Sequence, residues 1–119
     1  MMIKRGQVYL VHLGFSTDNV QGGTRPAIIV SNDIGNACSD ILTVIPLTTK
    51  EKSRQPTHVS FVFNSRFNTA LCEQITTIPN TSIHRNPDST VALMGTVPSA
   101  IMARIDKAIL IALGIVKPN

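Results

Sequence analysis

The segment QGGTRPAIIVSND, residues 21–33, holds a complete strand together with both of its boundaries. Two glycines supply a loop that can turn with positive φ. Pro26 then fixes its own φ and pushes Arg25 into extended geometry. Ala27–Val30 are small or β-branched, too short a run for a helix and well suited to a pleated, buried position. Asn32-Asp33 ends the run with turn chemistry. A charged residue is thus held at the mouth of an apolar strand.

The same grammar recurs in both directions. GQVYLVHLG (residues 6–14) reads as a strand between glycines. ILTVIPLTT (residues 41–49) reads as a strand stopped at Pro46, and THVSFVF (residues 57–63) alternates as a half-buried strand does. TALCEQITTIP (residues 69–79) reads as one longer extended segment and TVALMGTV (residues 90–97) as a short one. After that the period changes. Ile101, Ile105 and Ile109, with Met102, Leu110 and Leu113, recur at helical spacing. Thr96 or Ser99 could cap this helix, with Pro98 near its first turn, Gly114 at its end and Pro118 beyond. Five to seven strands and one helix of about four turns predict a mostly β fold, a small antiparallel barrel with a C-terminal α-helix, spanning residues 1–119 as a single domain.

Composition narrows the function classes. Of 119 residues, 43% are hydrophobic and 15% charged, so a chain this small leaves apolar surface exposed and a homodimer is expected. The last helix or a sheet face would supply the interface. The net charge of +4 suits a phosphate-bearing or acidic partner. The N-terminal residues are polar and basic, and no apolar run is long enough for a membrane span, so a cytoplasmic protein with no membrane partner is expected. Cys38 and Cys72 form no paired motif and predict reduced thiols; no metal or cofactor is implied.

Arg25 offers a planar fork of donors that fits a phosphate; the alternative is a surface ion pair with Asp18 or Glu73. Thr48 and Thr49, followed by Lys50, Lys52 and Arg54, place hydroxyls beside cations at a strand end, a phosphate cradle or a plain hydrophilic loop. Both Arg25 and Thr48 are expected at an exposed strand rim. His12, His58 and His84 are read as solvated or core histidines.

KRGQVYLVHL, QGGTRPAIIVSNDIGN, ILTVIPLTTK, PTHV and LCEQITTI occur in one order from Lys4 to about Ile78, and together they resemble the MazF/PemK toxins of bacterial toxin–antitoxin modules. The resemblance implies an SH3-like (PemK/CcdB-like) barrel and a homodimer. It implies a sequence-selective, metal-independent endoribonuclease acting on single-stranded RNA, neutralised by a cognate antitoxin with an acidic disordered segment. It also implies 2′,3′-cyclic phosphate and 5′-hydroxyl ends. The family's catalytic arginine falls on Arg25 and its catalytic threonine on Thr48. Gln21, Gly23, Thr24, Thr49, Lys50, Gln74 and Phe15 are candidates for RNA binding, with Phe15 stacking on a base and Gln74 reading a base edge.

Three positions depart from the family's pattern. Val20 stands where many relatives carry a glutamate, Thr24 where some carry a histidine, and Thr76 where some carry an arginine. The first two leave the loop without a base to take a proton. Two other functions share the fold: a CcdB-like toxin that binds a protein target such as gyrase, and an RNA-binding SH3-like module without chemistry. The Gly-x-Arg-Pro plus Thr pairing separates the ribonuclease from the first of these.

Overall fold

The computed structural model describes residues 2–14, 17, 19–50 and 52–118. Its strands are β1 (Gln7–His12), β2 (Thr24–Ile29), β3 (Ile41–Thr48), β4 (His58–Phe63), β5 (Arg66–Leu71), β6 (Thr76–Pro79) and β7 (Leu93–Thr96), with helices α1 (Asp33–Cys38) and α2 (Ser99–Ala112). The strands form one antiparallel sheet in the order β4-β5-β3-β2-β1-β7, with β6 paired to the first half of β3.

Alternation along β1, β2 and β3 explains their near-continuous apolar sequence. Val8, Ile28, Ile45 and Leu47 enter one cluster, which α2 covers with Met102, Ile105 and Ala108. Tyr9, Val11, Ala27, Ile29, Leu42 and Val44 enter a second cluster on the opposite face, covered by Ile78 and Ile83. The three central strands are therefore buried on both sides, unlike the half-exposed strands common in antiparallel sheets.

The sheet curls until its ends approach. Asn64 Nδ2 donates to the Met94 carbonyl at 2.9 Å, tying the β4–β5 turn to β7. A Cβ on Gly95 would lie 2.8 Å from Phe63 Cζ, so this edge needs glycine to close against the ring. The turn itself has positive φ at Asn64 (50°) and Ser65 (64°), the two-residue hairpin geometry that matches strand twist.

Four local expectations are corrected. Strand β3 runs through Pro46 to Thr48. The second edge of β3 passes from β6, which pairs at Ile41–Val44, to β5, which pairs at Leu47–Thr48. Pro46 falls between the two partners, where its missing N–H breaks neither ladder. The extended segment 69–79 is broken by a 3₁₀ turn at Cys72–Gln74. Residues 33–38 form the unforeseen α1, capped by Asn32 Oδ1 accepting from Gly35 N at 2.7 Å. Neither Thr96 nor Ser99 caps α2 through its side chain; the Pro98 carbonyl accepts from Ile101 N and Met102 N at its start.

The end of α2 is as expected. Gly114 (φ 75°) donates to Ile111 O and Ile115 N to Leu110 O, the paired bonds of a Schellman stop. An ion pair between Arg5 and Asp106 fastens the N-terminal turn to α2. Among the described residues no helix is long and apolar enough to cross a membrane.

Candidate active site

Arg25 stands in the first turn of β2 beside Pro26, and its Nε donates to the Gly22 carbonyl at 2.9 Å. That bond uses one of five donors and orients the guanidinium, and among the described residues neither terminal nitrogen has a partner. The loop behind it is closed at its base: Gly23 N donates to Gly14 O and Leu13 N to Gly23 O, both at 2.8 Å. Gly23 has φ 68° with open space around its Cβ position, so backbone conformation alone demands glycine there. Among the described residues no carboxylate pairs with Arg25; Asp18, one of the two expected partners, lies outside them. Glu73 is engaged elsewhere, by Thr57 Oγ1 at 3.1 Å and by His58 Nε2.

Strands β2 and β3 pair as Ala27–Pro46, Ile28–Ile45 and Ile29–Val44. Continued two residues, this register sets Arg25 level with Thr48. Both share the parity of Ala27 and Val44, so both belong to the face of the second cluster, at its open end. Thr48 is 3% exposed, which corrects the expectation of an exposed rim. Strand β5 covers its other edge, where Thr48 pairs with the equally buried Thr69. The Thr48 hydroxyl accepts from Lys50 N at 3.1 Å, so its own hydrogen remains for a ligand oxygen. Thr49 and Lys50 follow on the exposed surface.

Beside this pair lies a cavity of about 360 Å³ between the loop that precedes Arg25 and the turn after β5. Pro46 is its floor, two residues from Thr48 on the same face. Leu13, Val20, Ile75 and Ile78 add apolar walls, and Gln21 and Glu73 add oxygens. Thr76 also lines it, so two of the three departures from the family's pattern meet in one place.

Several candidate residues have other duties. The Gln74 side chain clamps the loop: Oε1 accepts from Gln21 N at 2.8 Å and Nε2 donates to the Asn19 carbonyl at 2.9 Å. Each end of its amide makes one backbone bond, so the side chain expected to read a base edge also has a structural duty. Thr24 has the opposite parity to Arg25, and its Oγ1 lies 2.7 Å from His12 Nδ1, so it faces away from the site. Gly23 likewise contributes backbone shape, with its N–H already committed. Phe15 lies outside the described residues. His12 packs edge-on to His84, with ring centres 5.4 Å apart. His58 bridges the Ser53 carbonyl (2.9 Å) and the Glu73 carboxylate, fastening the basic loop to the turn.

The sequence reading missed Pro46 and Leu13 as cavity lining and Thr69 as the partner of Thr48. No local signal marks them, since each acts through a strand register. Burial, and secondarily the neighbouring Glu73 charge, pushes the Cys72 thiol up to about 12, so it is an inert core group. Among the described residues, no three His, Cys, Asp or Glu side chains gather as metal ligands would.

Residues 4–113 match the family model for the PemK-like, MazF-like toxin of type II toxin–antitoxin systems. Endoribonuclease EndoA of Bacillus subtilis (strain 168) is 33% identical over 121 residues, covering 98% of each chain. An endoribonuclease solved in complex with its cognate antitoxin, from Mycobacterial species, superposes with a TM-score of 0.77 at 27% identity, over 98% of this chain and 99% of that one. MazF from Deinococcus radiodurans shares the fold with a TM-score of 0.75 at 16% identity, over 96% of this chain and 98% of its own. An arginine and a threonine brought level at the open end of a curled sheet, in a chain matched along nearly its whole length, make this protein a member of the PemK-like, MazF-like toxins of type II toxin–antitoxin systems.

Proposed function

We propose that the protein is a sequence-selective endoribonuclease toxin that cleaves single-stranded RNA by attack of the RNA's own 2′-oxygen on the adjacent phosphorus. The observation that carries this reading is that the register of β2 and β3, continued two residues, puts Arg25 level with Thr48 on one face, with donors unpartnered among the described residues. A bond forms between the 2′-oxygen and phosphorus, and the bond to the 5′-oxygen breaks. The 2′-hydroxyl proton passes to water and the leaving 5′-oxygen takes one from water, so the products are a 2′,3′-cyclic phosphate and a 5′-hydroxyl. The nucleophile belongs to the substrate, so the protein's tasks are alignment and stabilisation of charge on the phosphoryl oxygens.

Arg25 grips the phosphate with its terminal nitrogens, held in direction by Gly22 O. Thr48 donates to a non-bridging oxygen from a position fixed by its pairing with Thr69 of β5. Arginine stays protonated and takes no part as a base. Lys50 and the basic side chains Lys52 and Arg54 draw the RNA strand towards the site. No cofactor or metal enters this scheme.

The toxin works in the cytoplasm as a homodimer. Val62 (70% exposed) and Phe67 (59% exposed) are directly opposed on the outer face of the β4–β5 hairpin and offer an apolar contact surface for the second copy. A cognate antitoxin neutralises it with an acidic disordered segment laid along the basic groove, as the +4 charge favours.

The test is incubation with a long single-stranded RNA in EDTA, followed by mapping of the ends. The expected result is cleavage at a recurring sequence with cyclic phosphate and 5′-hydroxyl ends. Dependence on added divalent metal, or 5′-phosphate ends, would overturn the mechanism.

A further inference from the structure

His58 opens β4 and touches two connections that border the site. Its Nδ1 lies 2.9 Å from the Ser53 carbonyl, in the basic loop that follows Thr48. Its Nε2 lies 2.9 Å and 3.1 Å from the two carboxylate oxygens of Glu73, in the turn that also carries Gln74. A carbonyl oxygen only accepts, and so does an ionised carboxylate. Both ring nitrogens must therefore donate, and only the imidazolium carries a hydrogen on each. The bridge is complete in one protonation state of the ring.

Loss of one proton breaks one end, and the chemistry decides which. With the remaining hydrogen on Nδ1, the Nε2 lone pair would face a full carboxylate charge. With the hydrogen on Nε2, the Nδ1 lone pair faces only a carbonyl dipole, and the charge-assisted bond to Glu73 is kept. The Glu73 end is also the firmer one, because Thr57 Oγ1 donates to the same carboxylate at 3.1 Å. The Ser53 end lets go. Among the described residues the charged groups around the ring are Glu73 of the turn, Lys52 and Arg54 of the loop, and Arg104 and Lys107 of α2. The four cations are exposed, so solvent screens their repulsion of an imidazolium, whereas both bonds of the bridge are direct contacts.

We propose that His58 is a positioning residue that works as a proton-operated latch. As the imidazolium it ties the basic loop to the turn after β5; as the neutral ring it keeps the turn and frees the loop. Ser53, the residue it holds, stands between Lys52 and Arg54. The same two cations line a cavity of about 410 Å³ with Thr69, the strand partner of Thr48. Latched, they are held in place for an anionic strand; freed, they must be ordered again whenever one binds. The latch belongs to the free protein, and its effect on cleavage rests on the ribonuclease reading above.

The experiment follows the full chain by NMR from pH 5 to pH 8, the span in which histidines change charge. In wild type the His58 ring is expected to carry hydrogen on both nitrogens at the acid end and on Nε2 alone at the other. The amides of residues 52–55 are expected to move with the same midpoint, and their exchange protection to fall about tenfold across it, the scale of one lost hydrogen bond. Glu73→Gln should shift the ring and loop midpoints together. In His58→Gln the loop amides should stop titrating, although His12 and His84 remain. A ring that holds one charge state across the range, or a loop that stays still or follows a different midpoint, would overturn the latch. With limiting RNA, the ratio of wild-type to His58→Gln cleavage should fall from about tenfold to near one as pH rises through the ring's midpoint. A ratio constant with pH would overturn the positioning role. If wild type cuts no RNA, the ribonuclease reading falls, and the NMR titration still decides the latch.

Discussion

Arg25 and Gln21 are four residues apart and are held by opposite means. Arg25 is carried by a strand, next to a proline and paired with Val11 of β1, two residues beyond the end of the β2–β3 ladder. Gln21 is carried by a loop whose far wall is a single side chain, Gln74, reaching across from the turn after β5. The same division separates Thr48, buried beside β5, from Val20 and Thr76. The groups proposed to act on the phosphate are held by the sheet, and the loop beside them is held by a clamp. A rigid arrangement suits transition-state stabilisation, which tolerates little displacement. A clamped loop can be changed without unfolding the sheet.

The largest expected effect breaks the rigid side. Arg25→Ala should lower the cleavage rate on the order of 10²–10³-fold, the scale for removing one preorganised donor. Arg25→Lys should recover only part, because a point charge lacks the bidentate fork. Both variants should melt within a few degrees of wild type, since Arg25 has no ion-pair partner among the described residues. Single-turnover cleavage and calorimetry check this; unfolding of Arg25→Ala would reveal a structural residue instead.

Thr48 should show a mixed phenotype, and this revises what an exposed rim would have predicted. Thr48→Ala should cut roughly 10–100-fold more slowly and lose about 1 kcal/mol of stability, because a buried side chain is removed. Thr48→Ser should keep most activity, and Thr48→Val should be as slow as alanine yet melt higher than it. Equal activity for Val and Thr would remove the hydroxyl from the mechanism.

The clamp should behave differently. Gln74→Ala removes two hydrogen bonds to the loop, each worth about 0.5–1.5 kcal/mol net. Amide exchange at Gln21 should quicken about tenfold, while cleavage at saturating RNA falls by no more than about threefold. Base selectivity should blur. If the turnover rate fell as far as in Arg25→Ala, the division between strand and loop would be false.

The smallest effect sharpens the comparison without touching RNA. Cys38 is exposed and Cys72 is buried at the head of the turn that carries Gln74. With its thiol pushed up to about 12, Cys72 should resist an aromatic disulfide reagent at pH 8, so native protein should react once per chain. A second fast thiol in Gln74→Ala would mean that the whole turn opens, not the loop alone.

Much of the sheet was legible because its signals are local. Punctuation by glycine and proline, and apolar runs between, marked β1 to β4 and β7, and the change of period marked α2. Helix α1 was not legible, since a six-residue helix with Gly35 inside has too little periodicity to detect. The break at Cys72–Gln74 was hidden because each half of LCEQITTI is strand-like alone. Arg25 and Thr48 could be named from the ordered motifs, but not the burial of Thr48, which depends on Thr69 one strand away. The duty of Gln74 was equally hidden, because its partners Gln21 and Asn19 are 53 and 55 residues distant in the chain.

The three central strands, packed on both sides, also constrain how such a toxin can diversify. A slab with no free face has almost no position where a polar or bulkier residue is tolerated, so inherited variation is steered into the connections. Leu13, Val20 and Gln21 of one connection and residues 73–76 of another also line the cavity beside the proposed site. New target sequences are therefore reached by short steps that leave foldability and chemistry untouched, and a library confined to Val20, Gln21 and Thr76 is the smallest one in which retargeted variants should appear.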